Sequence, residues 1–61
     1  MTKRQIGKKI RDAREMRGYT QRDLAKMIGV SAGTVAAWEQ GLHAPDLMKL
    51  ANIFRELGRY I

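Results

Sequence analysis

The stretch QRDLAKMIGVSAGTVAAWEQ, residues 21–40, has the composition of two short helices joined by a tight turn. Thr20 and Ser31 are good N-caps, because their hydroxyls can accept hydrogen bonds from the unpaired N–H groups of a helix start. Gly29 is predicted to end the first helix, since a sharp turn needs a left-handed backbone that glycine adopts at low cost. The predicted helices cover residues 21–28 and 32–40. The apolar side chains that can turn inward together are Leu24, Ile28, Val30, Val35 and Trp38.

A further helix is predicted on each side of this stretch. The first covers residues 2–17, because Thr2 and Gln5 form a capping-box pattern and apolar side chains then recur at helical spacing. The last covers residues 47–57, and Leu42, in the loop before it, is expected to tuck under the core. The predicted core stripe of this last helix consists of Leu47, Leu50, Ala51, Phe54 and Leu57.

The composition limits the class of protein. A chain of 61 residues without repeats or low-complexity segments predicts a single domain, residues 1–61. It has no cysteine and one histidine, so neither a disulfide nor a zinc site is expected, and a reducing, cytoplasmic location is the simplest interpretation. The longest uncharged run, residues 27–38, is too short to span a membrane. A single serine and no paired carboxylates in an apolar setting predict no enzyme, no cofactor and no small-molecule substrate.

The charge is strongly positive and unevenly distributed. The net charge is +6, and residues 1–26 hold nine of the twelve Lys and Arg against three acidic residues, whereas residues 27–61 are balanced. A sequence pI near 10.4 suits a polyanionic partner, and the uneven placement indicates one basic surface. The alternative is that the basic residues only keep a small domain soluble.

A set of polar, glycine and apolar positions at fixed offsets matches a known pattern: Thr20, Gln21, Leu24, Ala25, Gly29, Val30, Ser31, Val35, Trp38, Glu39, Gly41, Pro45, Leu50 and Ala51. Residues 21–40 resemble the helix-turn-helix of the phage-repressor (Cro-type, XRE-like) DNA-binding family, and the resemblance extends from Ile6 to about Leu57. It implies an all-α fold, a compact four-helix repressor-like domain with or without a residual fifth turn. The family normally has a fifth helix, where Tyr60 and Ile61 would either pack on the core or form an apolar patch for a second subunit.

The resemblance also implies a structural ion pair between Arg14 and Glu39. Arg14 neighbours the apolar stripe of the first helix, and an arginine drawn into that seam needs a partner because an unpaired buried charge is very costly. Glu39 follows the inward-facing Trp38 and would supply the carboxylate. The alternative is an exposed Arg14 that pairs loosely with nearby acids and contributes little.

The resemblance places the helix over residues 32–40 in the major groove of double-stranded DNA. The residues expected to reach the bases are Ser31, Ala32, Gly33, Thr34 and Ala37. The residues expected at phosphates are Gln21, Arg22, Lys26, Lys3, Arg4 and Gln40. From the residues alone, Gln21 could be an ordinary polar residue at a helix start, and Arg22 and Lys26 could form a solvated face.

The predicted base-reading face departs from the usual behaviour of the family. It lacks Arg, Lys, Asn and Asp, and its one amide, Gln40, lies at the far end, whereas bidentate reading of guanine or adenine needs such groups. Ala can contact a thymine methyl group, and Ser or Thr can hydrogen-bond to several bases. Three possibilities stay open. Specificity could come from the shape and bendability of the DNA, or from contacts made elsewhere, such as by Lys3 and Arg4, or the domain could bind DNA with little discrimination.

The sequence therefore predicts a sequence-biased, double-stranded DNA-binding transcriptional regulator. It would act as a repressor by occupying a promoter, and as a homodimer at least when bound to DNA. An alternative is a protein-interaction module, antitoxin-like or co-activator-like, for which DNA contact is secondary. A third is the DNA-targeting part of a larger enzyme, since such domains are often attached to catalytic ones.

Overall fold

Four α-helices make up the secondary structure of residues 1–58, the part of the chain that the computed structural model describes. They are α1 (Lys3–Met16), α2 (Gln21–Ile28), α3 (Ala32–Gln40) and α4 (Leu47–Glu56). The prediction of an all-α, four-helix domain is confirmed, and each helix boundary lies within one residue of the expected one. The expected fifth turn, with Tyr60 and Ile61, lies outside the described residues.

The helices begin and end where local hydrogen bonds favour it. A side-chain oxygen accepts the N–H three residues ahead at all four helix starts: Thr2, Thr20, Ser31 and Asp46. At the start of α2 the carboxylate of Asp23 accepts the N–H of Thr20 in return, at 2.9 Å. This hydrogen bond is the main reason why the pKa of Asp23 lies below its ordinary value. Gly29 ends α2 with a left-handed backbone (φ 84°), as predicted.

The inward stripe of α4 differs from the predicted one. Ile53 is fully buried, whereas Leu47 is 82% exposed and Ala51 is exposed, so the prediction was wrong at these positions. The apolar side chains that are buried or half-buried in the core are Leu50, Ile53 and Phe54 of the helix and Leu57 at its C-cap. Their spacing defines a stripe on which Ala51 lies at the flank. Leu47 is in the first turn, at the edge of the domain, where the core no longer covers it.

Leu42 was predicted to tuck under the core, and this prediction was also wrong, because its side chain is 61% exposed. The chain leaves α3 through Gly41, which has a left-handed backbone (φ 80°). The N–H of Leu42 then donates to the carbonyl oxygen of Ala37 at 3.0 Å. This bond closes the end of α3 and fixes the backbone of Leu42 at the surface.

α1 crosses α3 at very short range because Gly7 has no side chain. A Cβ atom at position 7 would collide with the carbonyl oxygen of Trp38 and would lie 3.0 Å from the carbonyl oxygen of Glu39. Gly7 is buried in this contact. The position needs glycine for space, and any side chain would push the two helices apart.

Arg14 connects α1, the turn before α2, and α3. Its Nε and Nη2 atoms donate to the two carboxylate oxygens of Glu39 at 2.7 and 3.1 Å, and its Nη1 donates to the carbonyl oxygen of Tyr19 at 2.7 Å. The side chains of Arg14 and Glu39 are only 10% and 4% exposed. The hydrogen bond to Glu39 is the main cause that raises the pKa of Arg14. The structure thus brings together the two residues of the expected pair and does not leave Arg14 exposed.

The substitution Gly7→Ala should lower the free energy of unfolding by roughly 1–3 kcal/mol, the usual range for overpacking, or by more because backbone atoms cannot move aside. Gly33→Ala is the matched control, since its new methyl group would meet only Ser31 Oγ, at 3.8 Å. We expect the free energy of unfolding of Gly33→Ala to be unchanged or to rise by up to about 1 kcal/mol. Urea unfolding followed by circular dichroism measures both. Equal stability of the two variants would contradict the close contact of α1 and α3.

The substitution Glu39→Ala should cost roughly 3–5 kcal/mol, because it leaves the charge of Arg14 buried without its partner. That loss is comparable with the whole stability of a core this small, about 3–5 kcal/mol, so the variant should be largely unfolded. Asp12→Ala breaks the exposed Lys8–Asp12 pair and should cost at most about 1 kcal/mol. The double variant Arg14→Met, Glu39→Met should be more stable than Glu39→Ala, since both charges are gone. Thermal unfolding measures all three variants. If Glu39→Ala were not the least stable of them, this account would be contradicted.

Candidate nucleic-acid interface

α3 turns one face outward because two large side chains hold the opposite face in the core. Val35 is fully buried and Trp38 is 4% exposed. With 3.6 residues per turn, the positions on the far side of the helix are separated from one another by three or four residues. These positions, called here the outer face of α3, are Gly33, Ala36, Ala37 and Gln40. The first and last are exposed and the two alanines are half-buried.

The residues predicted to contact bases differ in their exposure to solvent. Gly33 and Ala37 lie on the outer face, and Ser31 is exposed at the N-cap. Thr34 is half-buried on the flank of the helix. Ala32 is half-buried and packs against the core, so its methyl group is partly turned away from solvent.

The two hydroxyl groups at the start of α3 are hydrogen-bonded to each other. Ser31 Oγ lies 2.9 Å from Thr34 Oγ1, and it also accepts the N–H of Thr34 at 3.2 Å. Capping the helix therefore uses much of their hydrogen-bonding capacity. Gln40 is the remaining residue of the outer face whose side chain carries donor and acceptor atoms.

α2 carries two exposed cations. Arg22 and Lys26 lie one helical turn apart, and among residues 1–58 neither has a carboxylate oxygen within 4.0 Å. Gln21, at the first position of α2, is half-buried and donates from Nε2 to Glu39 Oε1 at 3.0 Å. This contact ties Gln21 to the ion pair with Arg14 and still leaves its amide one further N–H. Sequence reasoning did not find it, because the two residues are 18 positions apart and no local pattern relates them.

The first turn of α1 lies beside the C-terminal end of α3. A Cβ atom on Gly41 would come within 3.1 Å of the Cα atom of Arg4. Lys3, Arg4 and Gln40 are all exposed in this region. Within residues 1–58, Lys3 and Arg4 have no carboxylate oxygen within 4.0 Å. The structure therefore brings these three predicted phosphate-contacting residues to one end of α3.

Part of the positive charge of α1 is neutralised within the helix. Lys8 Nζ lies 3.1 Å from Asp12 Oδ2, and Arg11 Nε lies 3.4 Å from Glu15 Oε2. The two members of each pair are one helical turn apart and exposed to solvent. The basic surface is accordingly narrower than the composition alone indicates. Lys9 is a further exposed cation that the sequence-based assignment did not include.

Residues 1–58 contain no cluster of side chains that could bind a metal ion, because no three His, Cys, Asp or Glu side chains lie close enough together. In the same range, every buried side-chain nitrogen or oxygen has a hydrogen-bond partner. No helix of this part of the chain is long and apolar enough to cross a membrane.

Comparison with known proteins gives a family and two named relatives. Residues 10–61 match the family described as helix-turn-helix. The chain is 42% identical over 50 residues to an uncharacterized HTH-type transcriptional regulator of Methanothermobacter thermautotrophicus, which covers 82% of this chain and 72% of that protein. It is 29% identical over 59 residues to the HTH-type transcriptional regulator ImmR of Bacillus subtilis, which covers 92% of this chain and 46% of ImmR. No solved structure gave a significant match.

The family match covers most of the chain and includes the whole of α2, the turn and α3. The relative from Methanothermobacter thermautotrophicus is similar over more than two thirds of both sequences. The resemblance to Cro-type proteins that the sequence indicated is confirmed, and the chain belongs to the helix-turn-helix family.

Proposed function

We propose that this chain is a transcriptional regulator that binds double-stranded DNA and represses transcription by occupying a promoter. The observation that carries the proposal is the outer face of α3, which Val35 and Trp38 hold toward solvent, together with exposed cations of α1 and α2 that have no carboxylate oxygen within 4.0 Å among residues 1–58. Membership of the helix-turn-helix family supports it, as do two relatives that are named HTH-type transcriptional regulators. Occupancy needs no chemistry, no cofactor and no small-molecule ligand, and we place it in the cytoplasm.

In the proposed complex α3 lies in the major groove. That groove is about 12 Å wide, and an α-helix with its side chains is about 10–12 Å across, so the two fit. The outer face has short side chains except at Gln40, which lets the backbone of α3 approach the base edges closely. Of the residues predicted to contact bases, Gly33 and Ala37 would then lie nearest to them, with Ala36 beside them and Ser31, Ala32 and Thr34 nearer the edge of the contact.

Phosphates would be held at two places around α3. At the first turn of α2, backbone N–H groups point outward and the second amide hydrogen of Gln21 is available, while Arg22 and Lys26 supply charge. At the other end of α3, the phosphate contacts would come from Lys3, Arg4 and Gln40. Glu39 orients Gln21 through the hydrogen bond described above, so the ion pair with Arg14 also supports the DNA-contacting surface.

We further propose that the protein binds its operator as a homodimer. A two-fold symmetric protein selects a site with matching symmetry, because each subunit reads one half-site. Selection of bound duplexes from a random pool should therefore return a symmetric consensus. Sedimentation of the free protein would show whether the dimer exists before DNA is bound. A single asymmetric half-site as the consensus would contradict dimeric binding and leave the DNA-binding proposal standing.

Binding to any duplex should weaken steeply with added salt. Each cation that neutralises a phosphate releases counterions and contributes a slope of about −0.9 in a plot of log K against log salt concentration. Lys3, Arg4, Arg22 and Lys26 should together give a slope of roughly −3 to −4 per chain. Fluorescence anisotropy with a labelled duplex between about 50 and 200 mM salt measures it. A binding constant that does not change over this range would contradict the phosphate contacts.

Two kinds of substitution should separate affinity from specificity. Arg22→Ala should weaken binding to all sequences alike and reduce the salt slope by about 1, because it removes a phosphate contact. Ala37→Arg should change which sequences are preferred, since it adds a guanidinium to the face that contacts bases. Arg55→Ala is the control, because Arg55 is exposed on α4 and carries the same charge. Parallel selections with the three variants would contradict the assignment if Ala37→Arg returned the original consensus.

A protein-interaction role, antitoxin-like or co-activator-like, is the second candidate. It is favoured by the exposed apolar side chains of Leu42, Leu47 and Met48, which are 61%, 82% and 75% accessible and close together in sequence. Under this role the outer face of α3 would need no base-reading groups. Failure to shift any duplex at low salt, together with a complex that forms in the absence of DNA, would favour it over the regulator.

A further inference from the structure

The six glycines of the chain differ in whether the fold requires them. Four have a positive φ, and Gly7 leaves no room for a side chain against the carbonyl oxygens of α3. Gly33 has neither reason, because its φ is not positive and a methyl group there would meet only Ser31 Oγ, at 3.8 Å. A helical glycine that the fold does not need, in open space on the outer face, leaves room for something outside the chain to approach the backbone closely there.

The rest of the outer face offers methyl groups and few polar atoms. Ala36 and Ala37 lie next to Gly33 on the same side of α3. The hydroxyls of Ser31 and Thr34 are hydrogen-bonded to each other at 2.9 Å. Bidentate reading of guanine or adenine requires Arg, Lys, Asn or Gln side chains, and on this helix only Gln40, at its last position, qualifies.

A surface of this chemistry is complementary to one major-groove feature of B-DNA. The C5-methyl group of thymine is the apolar group that a base pair presents there, and alanine methyl groups contact it favourably. All four bases also present hydrogen-bonding groups at their major-groove edges, which methyl groups cannot satisfy, so the methyl group of thymine is the feature that this face can contact favourably.

We infer that this protein selects its DNA by contact between the outer face of α3, chiefly Ala36 and Ala37, and thymine methyl groups. The absence of a side chain at Gly33 brings the helix close enough for that contact. The preferred sites would then carry thymines at the base pairs beneath the middle of α3. This inference rests on the proposed function and adds the class of site that the protein prefers.

The test replaces thymine by deoxyuridine in the best duplex obtained from a random pool. Deoxyuridine keeps the hydrogen-bonding edge of thymine and lacks only the methyl group, so no protein variant is required. When deoxyuridine replaces one or more thymines of each half-site, we expect the affinity to fall about fourfold for each contacted thymine. This is the change in binding constant that corresponds to burial of one methyl group. The salt slope should stay the same, since phosphate contacts are unchanged. Deoxyuridine in the flanking sequence serves as the control and should have no effect.

A variant then assigns the contact. Ala37→Gly removes the methyl group from the protein, so the deoxyuridine penalty at the thymine that it contacts should disappear. Ala51→Gly makes the same change on the exposed side of α4 and should leave every penalty as in the original protein. A penalty that persists unchanged with both Ala37→Gly and the corresponding Ala36→Gly would overturn the assignment to these alanines.

The possible failures are distinguishable. If the duplex is bound with a steep salt dependence and deoxyuridine has no effect at any position, the inference is wrong and the proposed function stands. A consensus without thymine beneath α3 would overturn the inference in the same way. If no duplex is bound even at low salt, the proposed function itself fails, and the inference fails with it.

Discussion

The buried ion pair between Arg14 and Glu39 is the constraint on which the arrangement of the helices depends. Two charges taken from water require nearly complete hydrogen bonding, and the structure supplies it through two bonds between the pair, one to Tyr19 and one from Gln21. These partners come from α1, α2, α3 and the segment before α2, so the pair can be satisfied only in one relative position of three helices. Since Glu39 adjoins the buried Trp38, the same pair also fixes the rotation of α3 and hence which residues face outward.

Close packing follows from small residues placed where the helices meet. Gly7 lets α1 lie directly on the carbonyl groups of α3. Ala13 and Ala25 are buried, and their small side chains take up little space between the helices. At the edge of the domain, Arg17 donates from Nε to the carbonyl oxygen of Leu57 at 2.9 Å and so ties the end of α1 to the end of α4. A core of this size has little stability to spare, and such contacts between helix ends and backbone add to what apolar burial supplies.

The consequence for function is a division between the two sides of α3. Its inner side and its caps carry the large apolar groups and most of the hydrogen bonds, whereas no side chain of the outer face takes part in a hydrogen bond or an ion pair within residues 1–58. Charge for an anionic partner comes from other elements, from α2 and the first turn of α1. Under the proposed function, affinity and discrimination would thus rest on different residues, which would explain how a strongly basic domain can carry an uncharged outer face on α3.

The sequence by itself determined the four helices, their ends and the family, because N-caps, capping boxes and a left-handed glycine act within three or four residues of chain. It also indicated which side of α3 faces the core, since Val35 and Trp38 are large, apolar and three residues apart. Only the tertiary structure decided that Ile53 is buried, that Leu42 and Leu47 are exposed, and that Gln21 bonds to Glu39. These outcomes depend on which other helix covers a position. That is a property of distant residues and of the edges of the domain, and a local pattern does not contain it.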